Sequence, residues 1–266
     1  MHAGLDLARR LEAGEALNGV ACVEALRRIS PEMEPMALEV AGGFAIFAGA
    51  GSPLTQAVGL GMRGGMRADE MDRMEEFYGA RDAAVSVDLC PLADSSVVEL
   101  LGERGYRVSQ FNNVLVRVLP GAECAPARDV RLAQADEEQV WAQTVGRGFL
   151  EKDELSSDEL QVGLTVWNMA GARAYFAFQG DVAAAAGAMA TYGGLAAMFA
   201  DSTLAAFRGK GLQAALIQER LRAAVDAGCD LSSALTLPGS ISQRNYERNG
   251  FRVAYTKATL VRPVER

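Results

Sequence analysis

The chain repeats itself, and nothing else in it narrows the choice of folds so far. "ERGYRVSQFNNVLVRV" from Glu103 and "RNGFRVAYTKATLVRP" from Arg248 align at a constant offset of 145 residues. Gly105 meets Gly250, Tyr106 meets Phe251, Arg107-Val108 meets Arg252-Val253, and Leu115-Val116-Arg117 meets Leu260-Val261-Arg262. Upstream, "VSVDLCPLADSS" is similar to "LSSALTLPGSIS" with a small gap, each a β-rich run, then a proline, then a short helix. Self-similarity at a fixed spacing is the mark of one structural unit used more than once. At 266 residues, half of them apolar, the chain can fill two small cores. "LPGAECAPAR", Leu119 to Arg128, has two prolines, a glycine and little periodicity, and reads as the connection. The expected organisation is therefore a domain over 1–119, a linker over 120–127 and a domain over 128–266. Carried back by the same offset, position 128 would fall at −17, ahead of Met1, so the first copy is expected to lack its opening strand.

The second copy is the more legible. "DVRLAQA" from Asp129 reads as a strand, followed by helices from Asp136 to about Phe149 and over Leu155–Met169. "RAYFAFQ", "VAAAAGAMAT" and "LAAMFADST" are strands joined by glycine-containing turns. Gly211 to Ala227 is a helix, with Leu212 and Leu216 beside a stripe of Ile217, Leu221 and Val225, and with Gly228 as its stop. "DLSSALTL" is a strand, Ser240–Arg248 a short helix, and "FRVAYT" and "ATLVR" two closing strands. The order β-α-α-β-β-β-α-β-α-β-β implies an α/β (α+β) fold, a mixed sheet flanked by helices.

A formal charge of −8 excludes a nucleic-acid partner, which needs a basic face, and suits a cationic or amine ligand. "MHAGLDLARRLEAGEAL" has no apolar core, so no signal peptide is expected. Val182 to Ala200 is 19 residues without a charge, but its "TYGG" centre suits a hairpin and not a membrane span. The four cysteines (Cys22, Cys90, Cys124, Cys229) show no CxxC and no metal spacing, so reduced thiols, a cytoplasmic setting and no metal are expected.

Chemistry concentrates at "DSTLAAFRGKGLQAALIQERL", where a strand gives way to a helix through Arg208-Gly-Lys-Gly-Leu-Gln213. A glycine-flanked helix start exposes unpaired amides at the positive end of the helix dipole, which is an anion site. Arg208 and Lys210 add charge to it. A P-loop needs Ser or Thr after its lysine, and Gly211 follows Lys210. A dinucleotide fingerprint belongs to the first βα turn of a parallel sheet, whereas this turn follows a hairpin.

"RGKGLQ" resembles the [QR]-x-x-G-x-[GA] pyrophosphate loop of the GNAT acyltransferase superfamily. The strand before it, the long helix after it, and "YERNGF" some 38 residues on, similar to the family's Y-E-x-x-G-F, extend the resemblance across about Arg128–Arg262. It departs at Gln213, where the family has Gly or Ala. The resemblance implies acetyl-CoA as co-substrate and direct attack of an amine on the thioester. Arg208, Gly209, Lys210, Gly211, Leu212, Gln213 and Ala214 would cradle the pyrophosphate, and backbone amides near Ser202, Thr203 and Leu204 would hold the thioester carbonyl. Tyr246 stands where the family places its thiolate-protonating tyrosine. Ser240, Ser242 and Asn245 either hydrogen-bond coenzyme A or cap their short helix.

The general base has no histidine candidate, because His2, the single histidine, sits at the terminus of the other half. Asp201 interrupts an apolar strand, and an ionised carboxylate there is costly unless it is paired or faces a cleft. Strand alternation sets it on the face of Phe199 and Thr203, as a base or amine anchor or as a salt-bridged aspartate. In the first copy, "MRGGMRADEM" has Met66 at the required glycine and Leu101 at the position of Tyr246, so that copy is expected to be degenerate and non-catalytic. The reading is an acetyl-CoA-dependent N-acetyltransferase with a small-molecule or peptide amine acceptor and no membrane partner. A homodimer is compatible with it. The alternative is a non-catalytic acyl-CoA-binding sensor.

Overall fold

The computed structural model describes residues 4–120 and 129–262, so His2, Cys124 and nearly all of the expected linker lie outside the described residues. The chain divides into two compact units, Met1–Val114 with Ala254–Arg266, and Leu115–Val253. That division differs from a cut between 119 and 128. The first unit takes the C-terminal strand, and the second takes the end of the strand that closes the first copy.

The first unit opens with α1 (Leu5–Ile29) and, among the described residues, has no strand ahead of it. There follow β1 (Met36–Val40), β2 (Gly43–Phe47), β3 (Gln56–Val58), α2 (Ala68–Gly79), β4 (Ser86–Leu89), α3 (Ser95–Glu103) and β5 (Arg107–Val118). The strand-like run "TQAVGLGM" supplies only three strand residues, because Gly59 and Gly61 turn into the left-handed region directly after them (φ +71° and +69°).

The second unit holds β6 (Val130–Leu132), α4 (Glu138–Leu150), α5 (Ser157–Trp167), β7 (Arg173–Gln179), β8 (Val182–Tyr192), β9 (Leu195–Thr203), α6 (Leu212–Asp226), β10 (Leu231–Thr236) and α7 (Ile241–Arg248). The last strand, β11 (Arg252–Val261), begins here and finishes in the first unit. Strand order in the first unit is β1-β2-β3-β4-β11-β5, and in the second β5-β10-β9-β8-β7-β6. β4 therefore pairs with β11, and β10 has β5 beside it: the two copies have exchanged their last strands.

Two expectations change. "FRVAYT" and "ATLVR" form one continuous strand, because Lys257 between them is not a turn residue. It is wholly buried, and its ammonium reaches Glu12 (3.0 Å) and Glu15 (2.8 Å) on α1. Val225 is 41% exposed and leaves the α6 stripe, whose buried face is Leu212, Leu216, Ile217, Arg220, Leu221, Ala223 and Ala224. The charge-free run is the β8–β9 hairpin, turned by Gly193 and Gly194 at positive φ (+51° and +81°), as a two-residue primed turn requires. No helix among the described residues is long and apolar enough to cross a membrane.

Candidate functional site

The site grows from one irregularity in β9. Ala186 pairs with Ser202 and Ala188 with Phe199, so Gly187 alone faces both Ala200 and Asp201. This is a β-bulge, and Ala200 takes the left-handed conformation (φ +57°) that a glycine usually fills at such a position. The extra residue shifts the alternation by one. Asp201 lies on the face where Met198 packs against α6, not on that of Phe199, while Ser202 turns the other way and donates to the Val145 carbonyl of α4 (2.9 Å).

On that face Asp201 meets two partners. Arg220 of α6 donates to its Oδ1, and Tyr246 of α7 donates its hydroxyl to Oδ2. Arg220 is wholly buried and also donates to the carbonyls of Ala188 (2.9 Å) and Leu216 (3.1 Å). Burial opposes the Arg220 charge, but Asp201 and Tyr246 beside it outweigh that, so the guanidinium is held protonated more firmly than usual. Tyr246 is 1% exposed and edge-on to Phe251 (4.9 Å between centroids). Burial first, and then the Asp201 carboxylate, push its phenol well above the ordinary value. Gly187 makes the room: a Cβ there would lie 2.6 Å from Asp201 Oδ1 and 3.0 Å from an Arg220 nitrogen.

Beside the bulge the sheet opens. The parallel β9–β10 ladder runs from Leu195/Leu231 to Met198/Ala234 and stops, although β9 continues to Thr203 and β10 to Thr236. Of the three amides expected at a thioester carbonyl, that of Leu204 is taken by Ala184 (2.9 Å). Alternation in the antiparallel ladder then turns the Thr203 amide away from β8, toward the opening. The Thr236 hydroxyl, buried at the end of β10, has no partner among the described residues.

The loop leads from β9 into α6. Gly209 and Gly211 are both left-handed (φ +76° and +80°), with open space where a Cβ would stand. Gly211 is the N-cap and offers no side-chain cap. Among the described residues the amides of Gly209, Lys210, Gly211, Leu212, Gln213 and Ala214 have no acceptor in the chain. The cations are less free than their spacing suggests. Arg208 folds back to Glu151 (2.8 Å) and the carbonyls of Gly148 (3.0 Å) and Thr203 (3.3 Å), while the Lys210 ammonium lies 4.8 Å from the centre of the Phe207 ring.

Gln213 departs from the loop pattern by turning its side chain to α7, where it donates to Ser242 (2.9 Å) and accepts from Asn245 (2.8 Å). Those two residues therefore bind α7 to the start of α6, and Ser240 caps α7 through the Gln243 amide (3.1 Å). The structure thus brings Asp201 and Tyr246 together, while the side chains of Arg208, Ser240, Ser242 and Asn245 bond to other partners. Sequence reading missed Arg220. Its signal is a cation at the i+4 position of the Leu212–Leu216 row, a core position that demands an acid partner.

No protein-family model and no curated relative matches the chain. Solved structures do. A GCN5-related N-acetyltransferase from Kribbella flavida superposes with a TM-score of 0.64 at 18% identity, covering 92% of this chain and 96% of that one. A tandem GNAT protein from the clavulanic acid biosynthesis pathway gives 0.55 at 13% identity, covering 86% and 82%. A GCN5-related N-acetyltransferase from Sphaerobacter thermophilus gives 0.56 at 15% identity, covering 74% and 68%. At such identities the likeness is one of fold, and the chain has the fold of the GCN5-related N-acetyltransferases in a tandem arrangement.

Proposed function

We propose that the second unit binds an acyl-coenzyme A, acetyl-CoA first, and moves its acyl group to an amine. One observation carries this reading: the run of amides from Gly209 to Ala214, without acceptors, at the start of a 15-residue helix beside the point where β9 and β10 part. Such a run suits a pyrophosphate, and both glycines hold the backbone where only an unsubstituted residue sits without strain. The anion site is one of backbone and helix dipole, with Arg208 and Lys210 as secondary charges.

In this reading the pantetheine arm enters the opening, where the Thr203 amide and the Thr236 hydroxyl are free to take it. The amine attacks the thioester carbonyl, the developing oxyanion is held by the Thr203 amide, and the leaving sulfur is protonated from Tyr246. The net acidity of the chain favours a cationic acceptor in its approach.

A second reading, an acyl-CoA sensor without turnover, draws on one fact: the Tyr246 proton is already committed to Asp201. Titration calorimetry of the full chain with acetyl-CoA, followed by thiol release over a panel of amines with acetyl-, propionyl- and succinyl-CoA, separates the two. Binding with amine-dependent release supports transfer. Binding without release supports the sensor, and no binding ends both.

A further inference from the structure

We infer that Asp201 and Tyr246 form one proton relay from amine to thiolate, and that Arg220 is the residue that positions it; this rests on the acyl-transfer reading above. A tyrosine that gave its proton to sulfur unaided would leave a phenolate against the Asp201 carboxylate, in a place almost closed to water. Two adjacent negative charges there oppose the step. A relay avoids them. As the C–N bond forms, the amine nitrogen loses a proton to Asp201. As the C–S bond breaks, Tyr246 gives its proton to the departing sulfur, and Asp201 passes the gained proton to the phenolate. The products are an amide and a free thiol, and the enzyme ends as it began.

The Asp201–Tyr246 pair carries one negative charge at rest, none while it holds the amine's proton, and one again once the sulfur has been protonated, so it never carries two. Arg220 supplies one fixed positive charge to match it, anchored to Leu216 and Ala188 so that it cannot swing away. The Asp201 carboxylate, with acceptor capacity beyond these two bonds, keeps a small exposure, 9% of its side chain. The bulge and Gly187 are the local concessions that admit the arrangement: a left-handed alanine, and a strand residue without a side chain. A pair needed for packing alone has no use for them, since apolar residues fill such a space at no greater cost.

The test uses the full chain, acetyl-CoA and the amine with the highest turnover. Tyr246→Phe and Asp201→Asn should each lower kcat by about 10²-fold or more at unchanged acetyl-CoA affinity, the usual range for acid–base groups. The double variant should lose no more than the worse single one, as for residues that act as a unit. Losses that multiply overturn the relay. Arg220→Lys, which keeps the charge, should retain more kcat than Arg220→Gln. Equal activity of the two removes Arg220 from the scheme. If Arg220→Gln does not fold, the neutral pair Asp201→Asn/Arg220→Gln stands in for it and should match Asp201→Asn alone. A reading independent of turnover is the Tyr246 hydroxyl proton, which should be a slowly exchanging NMR resonance that Asp201→Asn displaces. An unmoved resonance overturns the contact. Wild-type protein that transfers to no amine overturns the acyl-transfer reading and the relay together, whereas transfer with multiplying losses overturns the relay alone.

Discussion

The starts of α6 and α2 are the same junction in the two copies, finished in opposite ways. α6 begins at an exposed glycine with no side-chain cap and no acid in its first turn. α2 begins at Arg67, whose amide donates to Glu70 Oε2 (3.0 Å), with Asp69 and Glu70 in the first turn. The preceding amide, that of buried Met66, donates to Ser96 Oγ (2.8 Å), and Ser96 in turn donates to Asp94 (2.7 Å). One helix start leaves its donors without acceptors among the described residues, and the other satisfies them with its own side chains and adds negative charge. The offset of 145 carries the contrast into the core: Gln56, Glu75 and Leu101 stand where the second unit has Asp201, Arg220 and Tyr246. Glu75 bonds Arg104 (3.0 Å) and Arg262 (2.8 Å), and Leu101 is wholly buried. The repeat kept the fold, and only the second unit has polar groups left without acceptors at this helix start and a buried Asp201–Arg220–Tyr246 cluster behind it.

The largest effect that could break this contrast lies at Gly211. Gly211→Glu forces a side chain into the left-handed region, at roughly 1–2 kcal/mol, and puts an anion among the free amides. Acetyl-CoA binding by calorimetry should vanish while the melting transition persists. Met66→Glu in the first unit, by contrast, should cost stability and leave coenzyme affinity where it was. Loss of affinity from the Met66 change would place the anion site in the wrong copy.

Gly187→Ala is next. Its Cβ would press on Asp201 and Arg220 at 2.6 and 3.0 Å, so about 1–3 kcal/mol of stability should go, with a clear fall in turnover. Gly102 in α3 has nothing within 4 Å of its Cβ position, so Gly102→Ala should be neutral or stabilise the chain by up to about 1 kcal/mol. Thermal melts of the two variants shifting alike would mean that Gly187 is not making room for anything.

Arg208→Ala should do less. Its side chain is 43% exposed and its partner Glu151 62% exposed, and such pairs are worth about 0–1 kcal/mol. Coenzyme affinity should fall far less than in Gly211→Glu, because Arg208 braces the end of α4 against β9. An affinity loss as large as that of Gly211→Glu would make the guanidinium a direct phosphate ligand.

Most elements of the second unit were legible because their hydrophobic period and their glycines agree: β7 and β9 run over the residues that the alternation marked, and α6 stops before Gly228. What escaped has one physical root. Pattern reading treats a charge as a sign of surface, and here several charges are inside or nearly so. Lys257 falls between two runs that read as separate strands, Arg220 stands outside the apolar stripe read along α6, and the alternation that places Asp201 is shifted by a bulge. A buried charge needs a partner far away in sequence, and a window of a dozen residues does not contain it. The exchange of β5 and β11 was hidden for a related reason: a repeat makes the two strands interchangeable to any local pattern, and only pairing decides between them.

Lys257 and its partners give the smallest and most local prediction, and it concerns the first unit alone. Glu15 is pushed up to about 7, by burial first and by the neighbouring charges of Glu12 and Asp88, against the pull of Lys257. For an acid whose folded value is raised, the folded state holds a proton that the unfolded chain has released. Stability from this group is therefore greatest below the ordinary carboxylate value, near 4.5, and declines as pH rises from there through about 7. Glu15→Gln cannot release that proton, so its melting temperature relative to wild type should rise between pH 5 and pH 8. The gain is tempered because Lys257 then has Glu12 as its one carboxylate partner on α1. Acetyl-CoA affinity should not follow this pH dependence, because the amides of the α6 loop do not titrate. If melting and coenzyme affinity shift together through the same interval, the two units are coupled, and the first copy is more than a degenerate partner.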